Sequence, residues 1–192
     1  NHFRWEEDIK DLMLDIETFG TRVDCIILQI GACYFDRNTG QIGKTFTMNV
    51  DPHDARSLGF KEDFSTMLWW IWQSKEAQNA VFNNPKPLME VFGEFAKFAK
   101  EAENVFSHAT FDFAIVIEAY KSVGLETPFH YKSSVDLRTL CKLAKIDLKK
   151  HVRVGIHHNG LDDCISQVAY TIECLKKLKL KTEKLKDQNG DT

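Results

Sequence analysis

Apolar residues recur along the chain with two different periods, and the change between them separates strands from helices. Leu12 to Ile16 is a short apolar run that ends in acids. Cys25 to Phe35 is longer and rich in Ile, Leu and aromatic residues. Thr45 to Val50 alternates, with Phe46, Met48 and Val50 on one side. The turn-forming stretch Asp36-Arg37-Asn38-Thr39-Gly40 parts the last two. The opening segment therefore predicts three strands joined by short loops, an antiparallel meander. Asp51 to Gly59 is mostly polar and reads as a loop.

The period then becomes helical. Glu62 to Phe82 predicts helix with a break near Gln73-Ser74. Leu88, Val91, Phe92, Phe95 and Ala99 share one helical face, and Pro85 and Pro87 open that helix. Asn104 to His108 reads as a brief strand, and Asp112 to Val123 as a helix closed by Gly124. Ser134 and Val135 suggest a last short strand, after which Asp136 can cap a helix through Lys145. Leu161, Ile165, Val168, Ile172 and Leu175 mark a C-terminal helix. The tail from Lys176 to Thr192 is lysine-rich, then polar, and reads as frayed. This order predicts an α/β fold: an antiparallel three-strand meander followed by parallel strands reached through helical crossovers, flanked by helices. One domain spans 1–192, with its core over about 11–175.

Composition narrows the class. At 192 residues, with 43% hydrophobic and 28% charged positions, a full core forms and disorder is excluded. The five cysteines (Cys25, Cys33, Cys141, Cys164, Cys174) are odd in number, form no CxxC pair and mostly sit in apolar runs. They read as buried free thiols of a reducing compartment, and no close Cys/His spacing supports a zinc cluster. No apolar run approaches the ~20 residues of a membrane span. The start, Asn1 to Asp8, is charged and aromatic and does not read as a signal peptide. The expectation is a soluble cytoplasmic protein with no membrane partner. A net charge of −3 does not advertise nucleic-acid binding, yet a carboxylate metal site lowers the charge of its own domain.

Three segments carry candidate chemistry. In Asp15-Ile16-Glu17-Thr18, residues i and i+2 of a strand share a face, so two carboxylates stand side by side at the end of an apolar strand. They are either solvated acids or the ligands of a hard divalent cation, which would relieve their repulsion. Asp112, flanked by Phe111 and Phe113, is either an acid held near the core or a helix N-cap. His157-His158-Asn159-Gly160-Leu161-Asp162-Asp163 places imidazoles on a loop and two acids in the first turn of a helix. These are either a capping acid with a surface histidine pair, or a proton acceptor beside a ligand. His158 and Asp163 meet only if His158 sits in the loop, which Gly155 and Gly160 allow. Adjacent residues on an extended loop face opposite ways, so one histidine of the pair reaches a site. Trp69, Trp70 and Trp72 cannot share one helical face; most are expected in the core, with one lining a cleft. Lys142, Lys145, Lys149, Lys150 and Arg153 form either a solvated face or a set of phosphate contacts.

Taken together, these segments resemble the DEDDh family of 3'-5' exonucleases, which has the RNase H-like fold. Asp15-Ile16-Glu17-Thr18, Phe111-Asp112, and His158 followed after four residues by Asp163 match its motifs in order and spacing. The stretch DIETFGTRVDCIILQIGACYFD, the pair Trp69-Trp70, and DLRTL at Asp136 to Leu140 are most similar to short bacterial and phage exonucleases, a subgroup that includes a mycobacterial exoribonuclease. The family spacing selects His158 over His157 and Asp163 over Asp162. The resemblance implies hydrolysis of single-stranded RNA or DNA from the 3' end to nucleoside 5'-monophosphates, in a bacterial or phage-infected cell. It implies two divalent cations, Mg²⁺ or Mn²⁺. Asp15, Glu17 and Asp163 would hold the first, with Asp15 bridging to the second and Asp112 reaching it. His158 would be the general base. Thr18, Phe19, His108 and Phe111 would lie beside the substrate, with Phe19 stacking on the terminal base or packing on the core. At His108 the chain departs from the family, which often has Asn four residues before the second-motif Asp. An imidazole there changes how the strand end is held or stands beside the substrate. A phosphodiesterase restricted to dinucleotides, and a non-catalytic nucleic-acid-binding module, are the competing readings. The sequence leaves the RNA or DNA preference and the oligomeric state open, a homodimer included.

Overall fold

The first strand, β1 (Asp11–Thr18), and the second, β2 (Ile27–Phe35), are buried at every position. That explains their nearly unbroken apolar runs: a strand covered on both faces has no reason to alternate. The computed structural model describes residues 9–189, so the reading of residues 1–8 lies outside the described residues. β3 (Ile42–Asn49) is an edge strand and is partly exposed along its length. With β4 (Asn104–Ser107) and β5 (Ser134–Asp136) the sheet order is β3-β2-β1-β4-β5. β1 to β3 pair antiparallel, and β1–β4 and β4–β5 pair parallel. This is the mixed sheet that the element order predicts.

The period of two sorts β1 between two cores. Leu12, Leu14 and Ile16 face a cluster completed by α4 (Leu88–Ala99) and α5 (Asp112–Ser122), through residues such as Phe92, Phe95, Val116 and Tyr120. Met13 faces the opposite cluster with Leu137 and Cys141 of α6 (Leu137–Ala144) and Cys164 and Val168 of α7 (Gly160–Asn189). Asp15 and Glu17 follow Met13 onto that second face, where α7 lies.

A backbone contact sets the position of α7. A Cβ on Gly31 would lie 2.1 Å from the carbonyl carbon of Gly160, so only glycine lets the helix start rest on β2. The Gly160 amide donates to Gln29 Oε1 at 2.6 Å. Gly31 is paired with Asp15 across the sheet, so this contact aims the first turn of α7 at Asp15. Gly31→Ala is expected to destabilise the fold by about 3 kcal/mol and to depress activity, because backbone cannot yield as a side chain can. Thermal unfolding and turnover of the variant check this; parental values for both would show that the contact does not position α7.

Three sequence expectations change. Asp51 to Gly59 is not a loop throughout: α1 (Pro52–Ser57) forms there, with Pro at its start and the Asp51 carboxylate accepting from the His53 amide. The Glu62–Phe82 segment is two helices, α2 (Phe64–Ile71) and α3 (Lys75–Phe82), divided near Gln73-Ser74 as expected. Of its tryptophans, however, only Trp70 is buried; Trp72 is 83% exposed. The lysine-rich tail does not fray at Lys176, since α7 runs to Asn189. Lysine is a good helix former, no Gly or Pro intervenes, and Lys177 pairs with Glu173 one turn back. The last three positions of the tail lie outside the described residues. The five cysteines are free and buried. No helix among the described residues is long and apolar enough to cross a membrane.

Candidate active site

Three elements meet at the C-terminal end of β1. Asp15 and Glu17, both 8% exposed, project from its last turn of pleat, just before a register shift between Glu17 and Thr18. Parallel β4 ends beside them at Ser107 and delivers His108 and the start of α5. Asp112 is the first residue of α5, and Phe111 occupies the cap position. The Asp112 carboxylate does not cap its own helix in the usual way. It accepts from the His108 amide at 2.9 Å and from the Ile16 amide of β1 at 3.4 Å, which ties α5 to β1. α7 supplies Asp163 and, one turn later on the same face, Gln167. Gln167 Nε2 donates to Asp15 Oδ1 at 2.6 Å.

His158 sits in the turn before α7 with φ +64°, and its amide donates to Asp163 Oδ2 at 3.2 Å. The turn, not a helix, brings positions five apart together. The histidine pair does not splay as an extended loop would dictate: the two rings lie 3.6 Å apart. A left-handed residue turns the backbone back on itself and draws the side chains together. His158 nevertheless lies at the acids, its Nδ1 3.8 Å from Glu17 Oε1, while His157 is exposed. The Asp162 carboxylate has a different task, accepting from the Ile156 amide at 2.8 Å and bracing the loop.

The side chains form two adjoining groups. Donor atoms of Asp15, His108 and Asp112 lie within 4.8 Å of one another, as do those of Glu17, His158 and Asp163. Both groups line a cavity of about 290 Å³. Arg153 from the preceding loop and Arg138 from α6 line it too, with Arg153 Nη1 3.4 Å from Asp163 Oδ1. Among the described residues of the basic run before the histidines, Lys142, Lys145 and Lys150 are exposed and Arg153 faces the cavity.

Next to it, an open groove lined by Thr18, Ser65, Thr66, Trp69, Phe111 and His158 shares the Glu17 wall. Trp69 meets the His158 ring edge-on at 4.6 Å. Trp70 anchors α2 by donating to the Thr18 carbonyl at 2.9 Å. Phe19 packs on the core, 5.7 Å from Phe82, and Trp69 and Phe111 are the groove's large aromatics. Arg138, Gln167 and Tyr170 were not singled out in the sequence. For Gln167 a signal existed, the i+4 spacing from Asp163; Arg138 lies inside the DLRTL stretch that carried the resemblance, which gave it no role of its own.

The two arginines do not offset the four clustered acids. Burial, then the neighbouring carboxylates, raise Asp15 well above its ordinary range and push Glu17 to about 8. Burial raises Asp112 to about 7, against the two amides it accepts from, and raises Asp163. Burial holds His158 and His108 at about 4, with cationic neighbours adding to it, so both imidazoles are neutral at pH 7. Buried Gln167 Oε1, on the cavity wall, has no hydrogen-bond partner. Clustered hard oxygen donors, repelling one another and short of positive charge, fit divalent cations. One consequence is measurable. A carboxylate raised from about 4.5 to about 8 is protonated in the folded protein and ionised in the unfolded one between those values, so stability falls as pH rises. The depressed histidines act in the opposite sense only below about 6.5. The metal-free protein should therefore lose about 2 kcal/mol between pH 6.5 and 8.5, and saturating Mg²⁺ or Mn²⁺ should flatten the slope. Denaturant unfolding in EDTA at both pH values tests this; a rise in stability with pH would contradict it.

A parallel strand end presenting two acids, a helix start presenting a third, and a turn-plus-helix presenting a histidine and a fourth acid define an RNase H-like exonuclease of the DEDDh type. The family described as 3'-5' exoribonuclease Rv2179c-like domain matches residues 10–175, and the chain belongs to that family. It is a 3'-5' exonuclease. The solved structures agree on the fold. A 3'-exonuclease described in its recognition of the histone mRNA stem-loop superposes with a TM-score of 0.61 at 12% identity, covering 86% of this chain and 81% of that one. The nuclease domain of 3'hExo, a DEDDh family member bound to rAMP, gives 0.60 at 12% identity, covering 86% and 91%. Escherichia coli exonuclease I with a dT13 oligonucleotide gives 0.60 at 15% identity, covering 93% of this chain and 42% of that one. No curated protein sequence matches the chain.

Proposed function

We propose that the protein removes nucleoside 5'-monophosphates one at a time from the 3' end of single-stranded RNA. The observation that carries this reading is the convergence of Asp15, Glu17, Asp112 and Asp163 with a neutral His158 on one cavity. The family's description as exoribonuclease supports RNA over DNA. Asp15, Glu17 and Asp163 would hold one divalent cation, and Asp15 with Asp112 a second. Bound there, Mg²⁺ or Mn²⁺ would acidify the attacking water and neutralise charge developing on the phosphate.

The chain's own groups supply the rest. Neutral His158 accepts the proton of the attacking water, a task for which a protonated imidazole is useless. Water oxygen bonds to phosphorus and the P–O3' bond to the preceding nucleotide breaks, so the released nucleotide keeps its 5'-phosphate. Arg153 and Arg138 line the cavity and would contact phosphate oxygens. The groove beside Glu17 accepts the terminal nucleoside, with Trp69 and Phe111 offering apolar surface to its base and Thr18 its hydroxyl oxygen to the ribose. His108 lies beside the phosphate end of this path. Five buried free thiols support a reducing cytoplasm as the place of action.

Side-by-side digestion of single-stranded RNA, single-stranded DNA and dinucleotides with Mn²⁺ tests the proposal. RNA of ten or more nucleotides should be degraded fastest, down to 5'-monophosphates. Exclusive cleavage of dinucleotides, or of DNA, would replace the substrate; binding without hydrolysis would leave only a nucleic-acid-binding module.

A further inference from the structure

We propose that His108 is a nitrogen ligand of the second cation, which makes that position a mixed nitrogen–oxygen site selective for Mn²⁺ over Mg²⁺. The inference rests on the cation-dependent reading of the site given above and adds a ligand to it.

His108 directly follows β4, and its amide donates to Asp112 Oδ2 at 2.9 Å whatever its side chain is. That bond fixes the residue on the acid wall of the cavity. The ring then has little freedom, with its side chain 23% exposed. Its Nδ1 lies 3.7 Å from Asp112 Oδ2. At that separation the two share no hydrogen bond, yet both border the space in front of Asp15. Donor atoms of Asp15, His108 and Asp112 all fall within 4.8 Å of one another, a spread that one ion closes with small side-chain movements.

A second observation at the same wall points to a ligand. Gln167 is 6% exposed and binds Asp15 through Nε2, while its Oε1 is buried without a partner. A hydrated cation beside Asp15 would give that oxygen a water to accept from. A phosphate contact is the weaker account of His108. Arg138 and Arg153 already supply cationic donors in the cavity, and a neutral imidazole adds a lone pair rather than a charge.

Donor chemistry then sets the metal. Mg²⁺ keeps to oxygen ligands and gives up water reluctantly, whereas imidazole suits first-row transition metals better. Two carboxylates and one imidazole are therefore tuned toward Mn²⁺. An asparagine at this position would offer a weaker oxygen ligand and lose the preference.

The test uses the full chain without nucleic acid. Mn²⁺ is titrated by calorimetry, and the loaded protein is examined by pulsed electron paramagnetic resonance for ¹⁴N modulation from a directly bound imidazole. The parent should show the nitrogen signal. His108→Asn should lose it and bind its weaker Mn²⁺ about tenfold less tightly, with Mg²⁺ binding little changed. His158→Asn should retain it. Two bound Mn²⁺ without a nitrogen signal, or a signal that survives His108→Asn and vanishes in His158→Asn, would overturn the assignment while leaving the nuclease reading intact. No Mn²⁺ binding and no hydrolysis would overturn both.

Discussion

Asp15→Asn is expected to lower hydrolysis by about 10³-fold or more while leaving the metal-free protein at least as stable as the parent. Asp15 stands where both donor groups meet and would serve both cations, so its loss removes charge from each. The asparagine carbonyl can still accept from Gln167, so the hydrogen bond that joins β1 to α7 survives. What disappears is a buried charge beside Glu17, Asp112 and Asp163, each of which raises the Asp15 carboxyl. Glu17→Gln should behave in the same way. Activity under saturating Mn²⁺ and thermal unfolding in EDTA at pH 8 give the two readings. Parental activity in either variant, or hydrolysis in excess EDTA, would sink the metal-dependent account. A large fall in apo stability would show that these acids hold the fold together.

His158→Ala should reduce turnover by about 10²–10⁴-fold, the usual range for a positioned general base. Cation binding should largely persist, because the four carboxylates remain. His157→Ala should stay near the parent, although its ring lies against that of His158. The distinction is one of reach: His158 Nδ1 is 3.8 Å from Glu17, and His157 is not in the cavity lining. Trp69 meets the His158 ring edge-on and limits its rotation. Single-turnover rates on RNA with both variants decide it. An active His158→Ala beside a dead His157→Ala would mean that the motif register is wrong, and Asp162 would become the acid to replace.

The acid pattern was legible in the sequence because strand periodicity fixes which side of β1 carries Asp15 and Glu17. The order of elements sufficed for the mixed sheet, since helices between short strands impose parallel crossovers. The α1 helix was missed because six residues give no periodicity to read, and its cap, Asp51, is also a common loop residue. The paired histidine rings were missed because a left-handed φ at a non-glycine residue leaves no mark in the sequence. The tryptophans divide three ways for a reason that only packing supplies. α2 lies across the end of β1, so one face, at Trp70, meets the core, the next, at Trp69, meets the cleft, and the rest meets solvent. Arg138 enters the cavity from α6, and the DLRTL stretch that contains it marked a resemblance without showing that its side chain faces the acids.

The central claim is that one cation-dependent site cuts single strands from a free 3' end. Its most direct test is the digestion of a 5'-labelled linear RNA and a circular RNA of the same sequence, each with Mn²⁺ and with EDTA. The account predicts a labelled ladder that shortens one nucleotide at a time, unlabelled 5'-monophosphates as product, an intact circle, and no reaction in EDTA. Immediate release of the label as a mononucleotide, cleavage of the circle at a comparable rate, or full activity in EDTA would contradict it.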